Sequence, residues 1–185
     1  MNRTRRWLLA VPAGLLGATA LQSTAVAASA AQISRGADSA LHALYAAQPK
    51  ARELGQRAKA ILIFPKIIKA GLIIGGQSGD GVLRVGGKTN GFYNISAASF
   101  GLQAGVQWFS YALFFMDPAA LQFLDKSDGW AIGSDPSVVV IDKGAGASID
   151  SSTLSHKVVA VPFGQNGLMA GLALQGSKIT TYNPN

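Results

Sequence analysis

Residues 100–116 read FGLQAGVQWFSYALFFM and decide the fold. Over residues 100–108, apolar side chains alternate with glycine and glutamine, which is the period-2 pattern of a β-strand with one apolar face. Residues 109–116 are almost wholly apolar and predict a buried strand. Asp117 and Pro118 come next, and they predict a helix that has Asp as its cap and Pro in its first turn and that ends near Leu124.

The elements on either side of this stretch predict an α+β layout. Amphipathic spacing predicts a helix over 33–47, and Pro49 separates it from a second short helix over about 51–59. Turns are predicted at 78–81 and at Asn90-Gly91. Strands are predicted over 60–64 (ended by Pro65), 71–77, 82–85, 138–141, 158–161, 167–174 and 178–182. We therefore expect N-terminal helices followed by a mainly antiparallel, glycine-rich β-sheet or barrel-like core.

The first 27 residues have the order of a secretory signal peptide. Three arginines within the first six residues precede the apolar run Trp7–Leu21, and small residues follow at 25–27. We divide the chain into a cleavable signal, 1–27, and a single mature domain, 28–185; cleavage after Ala30 and an uncleaved anchor are the alternatives. The arginine pair also resembles a twin-arginine export signal, so Sec and twin-arginine export both remain open. Either route predicts a periplasmic or secreted protein.

The positive charge of the chain is concentrated in one part of it. The 16 Lys plus Arg residues exceed the 9 Asp plus Glu residues by 7, and removal of the three leader arginines lowers the net charge to +4. Between Arg35 and Lys88, nine basic residues accompany three acidic ones. Such a segment favours an anionic partner, and the export signal argues against nucleic acid.

The sequence contains little that could perform catalysis or hold a metal. It has no cysteine, and its two histidines, His42 and His156, have no acidic partners at the spacing of a metal site. Residues 81–89 end like a phosphate-binding loop, but the glycine spacing differs and no helix is predicted after them. Most aspartates stand at predicted turn positions, where local hydrogen bonding explains them. We expect a protein that is not an enzyme and has no metal or cofactor.

Several stretches resemble the SYLF domain, a lipid-binding family, over roughly residues 40–182. The resemblance is carried by residues 51–54 (AREL), 58–65 (AKAILIFP), 69–71 (KAG), 100–105 (FGLQAG) and 167–177 (GLMAGLALQGS). In this family, eukaryotic members bind phosphoinositides and a yeast branch also binds actin. For an exported bacterial chain, the resemblance implies association with an anionic phospholipid membrane surface without catalysis. Actin is not an expected partner in a periplasm.

The predicted lipid-binding residues are basic and lie among apolar ones in the first third of the mature domain. They are Arg52, Arg57, Lys59, Lys66 and Lys69. Each basic side chain that reaches an anionic surface contributes about 1 kcal/mol of attraction, so several on one side would support peripheral membrane association. Three alternatives remain open: an ordinary solvated helix face, a small outer-membrane β-barrel, and a carrier whose cavity is lined by Phe109–Met116. The oligomeric state also remains open.

Overall fold

The computed structural model describes residues 28–71, 74–100, 105–126, 129–141, 155–166 and 176–184. The predicted signal at 1–27 therefore lies outside the described residues. In chain order the elements are α1 (Ala30–Ala47), α2 (Pro49–Arg57), β1 (Ala60–Gly71), β2 (Ile74–Val85), β3 (Lys88–Phe100), β4 (Gly105–Phe115), α3 (Pro118–Lys126), β5 (Trp130–Ala131), a 3₁₀ turn (Ile132–Ser134), β6 (Val138–Val140), β7 (Val158–Asn166) and β8 (Lys178–Tyr182).

The described strands form one sheet in the order β5-β8-β3-β2-β1-β4-β7-β6. Neighbouring strands pair antiparallel throughout, except that β6 pairs with β7 in parallel. The sheet curls into a half-barrel behind the N-terminal helices. The predicted α+β class, with helices first and a mainly antiparallel sheet after them, is confirmed.

The three helices occur where the sequence predicts them, with small shifts at their ends. α1 begins earlier than predicted because Ser29 and Gln32 form a reciprocal capping box, each side chain accepting the other's backbone N–H. Pro49 is the first residue of α2. A backbone N–H at that position would have no partner within the helix, so proline costs no hydrogen bond there. α3 has the predicted cap, because the carboxylate of Asp117 accepts the N–H of Ala119 at 2.8 Å.

Both faces of the sheet are packed against other elements. The inner face carries the largest core cluster, together with α3 and β5, and the outer face lies beneath α1 and α2. In β4, Tyr111 and Leu113 face inward while Ala112 and Phe114 lie under the helices, so the predicted buried strand is core on both faces. The three clusters draw on residues from Ala28 to Tyr182.

Pro65 does not end its strand, and that prediction was wrong. β1 continues through it, and Pro65 and Lys66 together stand opposite the single residue Ser110 of β4. This is a β-bulge, a place where a central strand tolerates proline because one residue is left out of the ladder. The Ser110 hydroxyl donates a hydrogen bond of 2.7 Å to the Pro65 carbonyl, so the oxygen at the bulge has a partner.

The two predicted turns were also wrong. Ser78–Gly81 lies inside β2, and Asn90–Gly91 lies inside β3. The β2–β3 turn is formed by Gly86–Gly87, whose φ values of 56° and 77° suit the two central residues of a type I′ hairpin turn. The glycines of β2 serve packing instead, because a Cβ on Gly79 would lie 2.6 Å from the carbonyl oxygen of Lys66 in the β1 bulge.

The remaining strand predictions divide between confirmed and undescribed segments. The stretches 138–141, 158–161 and 178–182 are confirmed as β6, β7 and β8. Of the predicted strand 71–77, Gly71 ends β1, residues 72–73 lie outside the described residues, and residues 74–77 belong with 82–85 to the single strand β2. The predicted strand over 100–108 corresponds to the end of β3 and the start of β4, while residues 101–104 lie outside the described residues. The predicted strand over 167–174 also lies outside them.

Candidate functional site

Three of the five predicted basic residues lie together where α2 leads into β1. Arg52 and Arg57 are exposed on α2, and Lys59 is exposed in the link to β1. The guanidinium of Arg52 lies 5.6 Å from the centroid of the Tyr45 ring on α1, at cation–π distance. Burial raises the pKa of Tyr45, and the positive charge of Arg52 acts in the opposite direction.

Lys66 lies further along the outer face, roughly 20 Å from the Ala60 end of β1 at the usual rise per strand residue. The bulge determines its direction: without the extra residue, strand alternation would place Lys66 on the inner face with Phe64. The Lys66 ammonium instead lies 5.8 Å from the centroid of the Trp108 ring, which belongs to the outer face of β4. This distance suits a cation–π contact.

Lys69 lies on the opposite, inner face of the sheet and is only partly exposed. In register it stands between Gln77 of β2 and Gln107 of β4. The five predicted residues therefore do not form one continuous surface. Three are grouped at the α2 end, Lys66 stands apart on the outer face, and Lys69 faces inward.

Next to Lys66 lies a group of apolar side chains that sequence reasoning did not single out, which we call the exposed apolar patch. It consists of Ile68, Ile74, Val106 and Trp108, which are 45%, 69%, 63% and 44% exposed. Ile68 and Trp108 stand directly opposite each other on β1 and β4. By strand alternation all four belong to the outer face, at the end of the sheet next to the start of α1.

The patch exists because of the side-chain alternation in β4. Phe109 and Tyr111 face the inner core, so alternation turns Val106 and Trp108 outward and buries Gln107, which is only 3% exposed. No sequence signal distinguished the two directions, because residues 109–116 are apolar on both faces. At this end of β4, Val106 and Trp108 are therefore exposed and Gln107 is buried.

An open groove of about 860 Å³ adjoins the patch, between the start of α1 and strands β1 and β2. Two of its lining residues connect it to the patch: Ile68 belongs to the patch, and Lys66 lies beside it. The other lining residues are Ala28, Gln32, Ile33, Pro65 and Gly76–Asp80. On its β2 side, the carboxylate of Asp80 accepts a hydrogen bond of 2.7 Å from Asn94. The groove and the patch form one surface, in which exposed apolar side chains lie beside the ammonium group of Lys66.

The described part of the chain, 28–184 with its gaps, contains no helix that is both long enough and apolar enough to cross a membrane. Over the same residues, no three or more histidine, aspartate or glutamate side chains come together in a way that could hold a metal ion.

In a comparison with protein families, residues 96–184 match the family described as Ysc84, Las17-binding protein actin regulator. The matched segment begins within β3 and extends past β8. This confirms the resemblance found in the sequence, and the match supports a member of the SYLF domain family. In general terms, the family assignment supports a lipid-binding domain. A comparison with curated proteins found no significant match.

Proposed function

We propose that this protein is an exported, non-enzymatic module that binds peripherally to anionic phospholipid membranes. The observation that carries the proposal is the exposed apolar patch beside Lys66. Contiguous apolar side chains on a protein surface mark an interaction site, because their removal from water is favourable. A lipid surface fits both the family assignment and a cation at the rim of the patch.

In this proposal, Trp108 and Ile68 enter the interfacial region of the bilayer. An indole ring suits that region because it combines an apolar body with one polar N–H group. Lys66 extends its alkyl chain along the patch and keeps its ammonium group at the level of the phosphates. The cation–π contact with Trp108 holds the two side chains in that relation.

Arg52, Arg57 and Lys59 supply a longer-range attraction in the same proposal. Each contributes about 1 kcal/mol when it lies close to an anionic surface, and salt screens this contribution. They attract the protein towards the membrane, and the apolar patch then retains it there.

The proposed location follows from the leader at 1–27, which favours a periplasmic or secreted destination. The partner is then an anionic bacterial lipid such as phosphatidylglycerol, cardiolipin or lipid A. The actin named in the family description is not carried over, because an exported bacterial chain would not meet actin.

Trp108 fluorescence tests the proposal directly. Residues 28–185 contain two tryptophans, and Trp130 is 6% exposed within the core, so a change in emission on vesicle binding reports on Trp108. We expect phosphatidylglycerol vesicles at low salt to shift the emission to the blue, and added salt to weaken the binding. No shift, or an equal shift with neutral phosphatidylcholine vesicles, would contradict anionic membrane binding. Trp108→Phe is the control and should remove the shift.

A further inference from the structure

The inner face carries a row of polar side chains at the same end of the sheet as the exposed apolar patch. Gln77, Lys69 and Gln107 stand side by side in register on β2, β1 and β4, and we call these three residues the inner polar row. Directly opposite residues of an antiparallel sheet have Cβ atoms about 5 Å apart, so the three side chains are neighbours. Gln77 donates a hydrogen bond of 2.9 Å to the buried hydroxyl of Ser177.

Gln107 is buried and has no hydrogen-bond partner among the residues that the structure describes. It is 3% exposed, and neither its Oε1 nor its Nε2 atom makes a hydrogen bond to them. A buried amide that has lost its water and gained nothing in return destabilises a fold. A buried amide without hydrogen bonds therefore suggests a ligand that supplies them.

Lys69 places a positive charge beside this amide. It is partly buried, and no salt bridge to it occurs among the described residues. Its register neighbours are two neutral amides, so no acidic group in the row neutralises it. An ammonium group next to an unpaired amide donor is suited to an oxyanion, since both donate to the same kind of acceptor.

Space for a ligand lies beyond the row on its β4 side. The next positions on the inner face, towards the end of the sheet, are Gly75, Gly71 and Gly105, which stand in register and carry no side chains. A Cβ added to Gly105 would meet no atom within 4 Å, whereas one on Gly71 would lie 2.5 Å from the Cα atom of Gly75. On the other side of the row, Ile67 and Phe109 provide an apolar wall.

We propose that the inner polar row binds the oxyanion of a phosphate-bearing ligand, with Lys69 and the Gln107 amide donating to it. The oxyanion comes from a lipid head group, and only this choice of source rests on the proposed function. A hydroxyl on the same head group, as in phosphatidylglycerol, would donate to the Gln107 Oε1 atom, so that one ligand satisfies both ends of the amide.

Calorimetric titration of residues 28–185 with monomeric dihexanoyl phosphatidylglycerol tests this site without a bilayer. We expect saturable binding that Lys69→Gln weakens by about tenfold or more, because a hydrogen bond to a charged group is lost. Lys88→Gln is the control, an exposed lysine at the start of β3 to which no binding role is assigned, and should bind like the wild type. No binding by the wild type, or equal weakening by both variants, would overturn the proposal.

Two variants at Gln107 separate ligand binding from folding. Gln107→Leu should raise the melting temperature without ligand, because it removes the unpaired amide, and should weaken lipid binding. Gln107→Glu should abolish lipid binding, because its carboxylate stands opposite Lys69 and repels the oxyanion. A lowered melting temperature for Gln107→Leu, or undiminished lipid binding by either variant, would overturn the role of Gln107.

Inorganic phosphate distinguishes the source of the oxyanion. If a lipid is the ligand, phosphate at the same concentration should not displace dihexanoyl phosphatidylglycerol; full displacement would overturn the lipid assignment. The membrane contact is read separately from the Trp108 blue shift at saturating vesicle concentration, which Lys69→Gln should retain because the side chains of the exposed apolar patch are unchanged. A failure of the inner polar row and a failure of the proposed membrane contact would therefore appear in different assays.

Discussion

Two glycines of β2 allow the β1 bulge to approach closely, and the bulge turns Lys66 towards the exposed apolar patch. A Cβ on Gly79 would lie 2.6 Å from the Lys66 carbonyl oxygen, and a Cβ on Gly81 would lie 2.7 Å from the Ile63 carbonyl oxygen. Both contacts are with backbone atoms, which cannot move aside as a flexible side chain can. The direction of Lys66 thus depends on residues in the neighbouring strand.

Gly79→Ala should therefore destabilise the protein by roughly 1–3 kcal/mol, the usual cost of overpacking. Gly76→Ala on the same strand is the control, because its added Cβ would lie at an ordinary 3.5 Å from the nearest atom. Urea unfolding measures the difference. Equal stability of the two variants would show that the close approach at the bulge does not constrain β2.

Asp135, which lies at the other end of the sheet, makes the free energy of unfolding depend on pH. Burial acts to raise its pKa, but hydrogen bonds from Ser137 and Trp130, together with the charge of Lys157, hold the pKa below its ordinary value. Because the folded pKa is depressed, this stabilisation is complete above the unfolded pKa of about 4 and is lost as the pH falls through the folded value.

Asp135→Asn should accordingly lower the free energy of unfolding at neutral pH. The deficit relative to the wild type should narrow as the pH falls below about 4, because the wild-type carboxylate is then protonated first in the unfolded chain and, at lower pH, in the folded protein. Urea unfolding at several pH values measures both curves. A deficit that stays constant down to the lowest pH would contradict the assigned ionisation.

At the scale of elements, α2 acts as the electrostatic part of the proposed membrane contact. Changing Arg52, Arg57 and Lys59 together to Gln should weaken binding to anionic vesicles by about 10- to 100-fold and reduce its salt dependence. The blue shift of Trp108 at saturating lipid should remain, because the exposed apolar patch is unchanged. Co-sedimentation at several salt concentrations measures the affinity.

Glu53→Gln is a control on the same helix that should change vesicle binding in the opposite direction, because it removes a negative charge. Glu53 is an exposed residue of α2, and its neutralisation should strengthen binding to anionic vesicles. If the triple variant bound as well as the wild type, or if Glu53→Gln weakened binding, α2 would not face the membrane.

Most elements could be predicted from local signals. The helical spacing of 33–47, the Asp117–Pro118 start of α3 and the apolar run of β4 each reflect physics contained in a few neighbouring residues. The family assignment likewise needed only ordered motifs. Even Pro49, predicted as a break between helices, lies at the boundary between α1 and α2.

The exposed apolar patch and the inner polar row could not be predicted, because both depend on which way β4 faces. That choice is set by long-range register: Phe109 and Tyr111 pair with Ile67 and Phe64 across the β1 bulge. Pro65 indicates a strand end locally, and only its partner Ser110 shows that the position is a bulge. A one-residue shift in register would exchange the two faces.

At the scale of the whole molecule, the two proposed lipid contacts share one end of the sheet. Ile68 and Lys69 are consecutive in β1, and alternation sends the first to the outer face and the second to the inner face. A membrane that covers the exposed apolar patch would therefore lie close to the glycine-lined end of the inner face. This arrangement would bring a head group near the inner polar row while the protein is held at the surface.

The central claim is that the exposed apolar patch is the membrane contact, and one comparison tests it most directly. Residues 28–185 with both Ile68→Ser and Trp108→Ser would be sedimented with phosphatidylglycerol vesicles beside Phe123→Ser. Phe123 is 65% exposed on α3, which follows the opposite end of β4 from the patch. We predict that the double variant remains in the supernatant while Phe123→Ser sediments like the wild type. Sedimentation of the folded double variant at the wild-type level would contradict the claim.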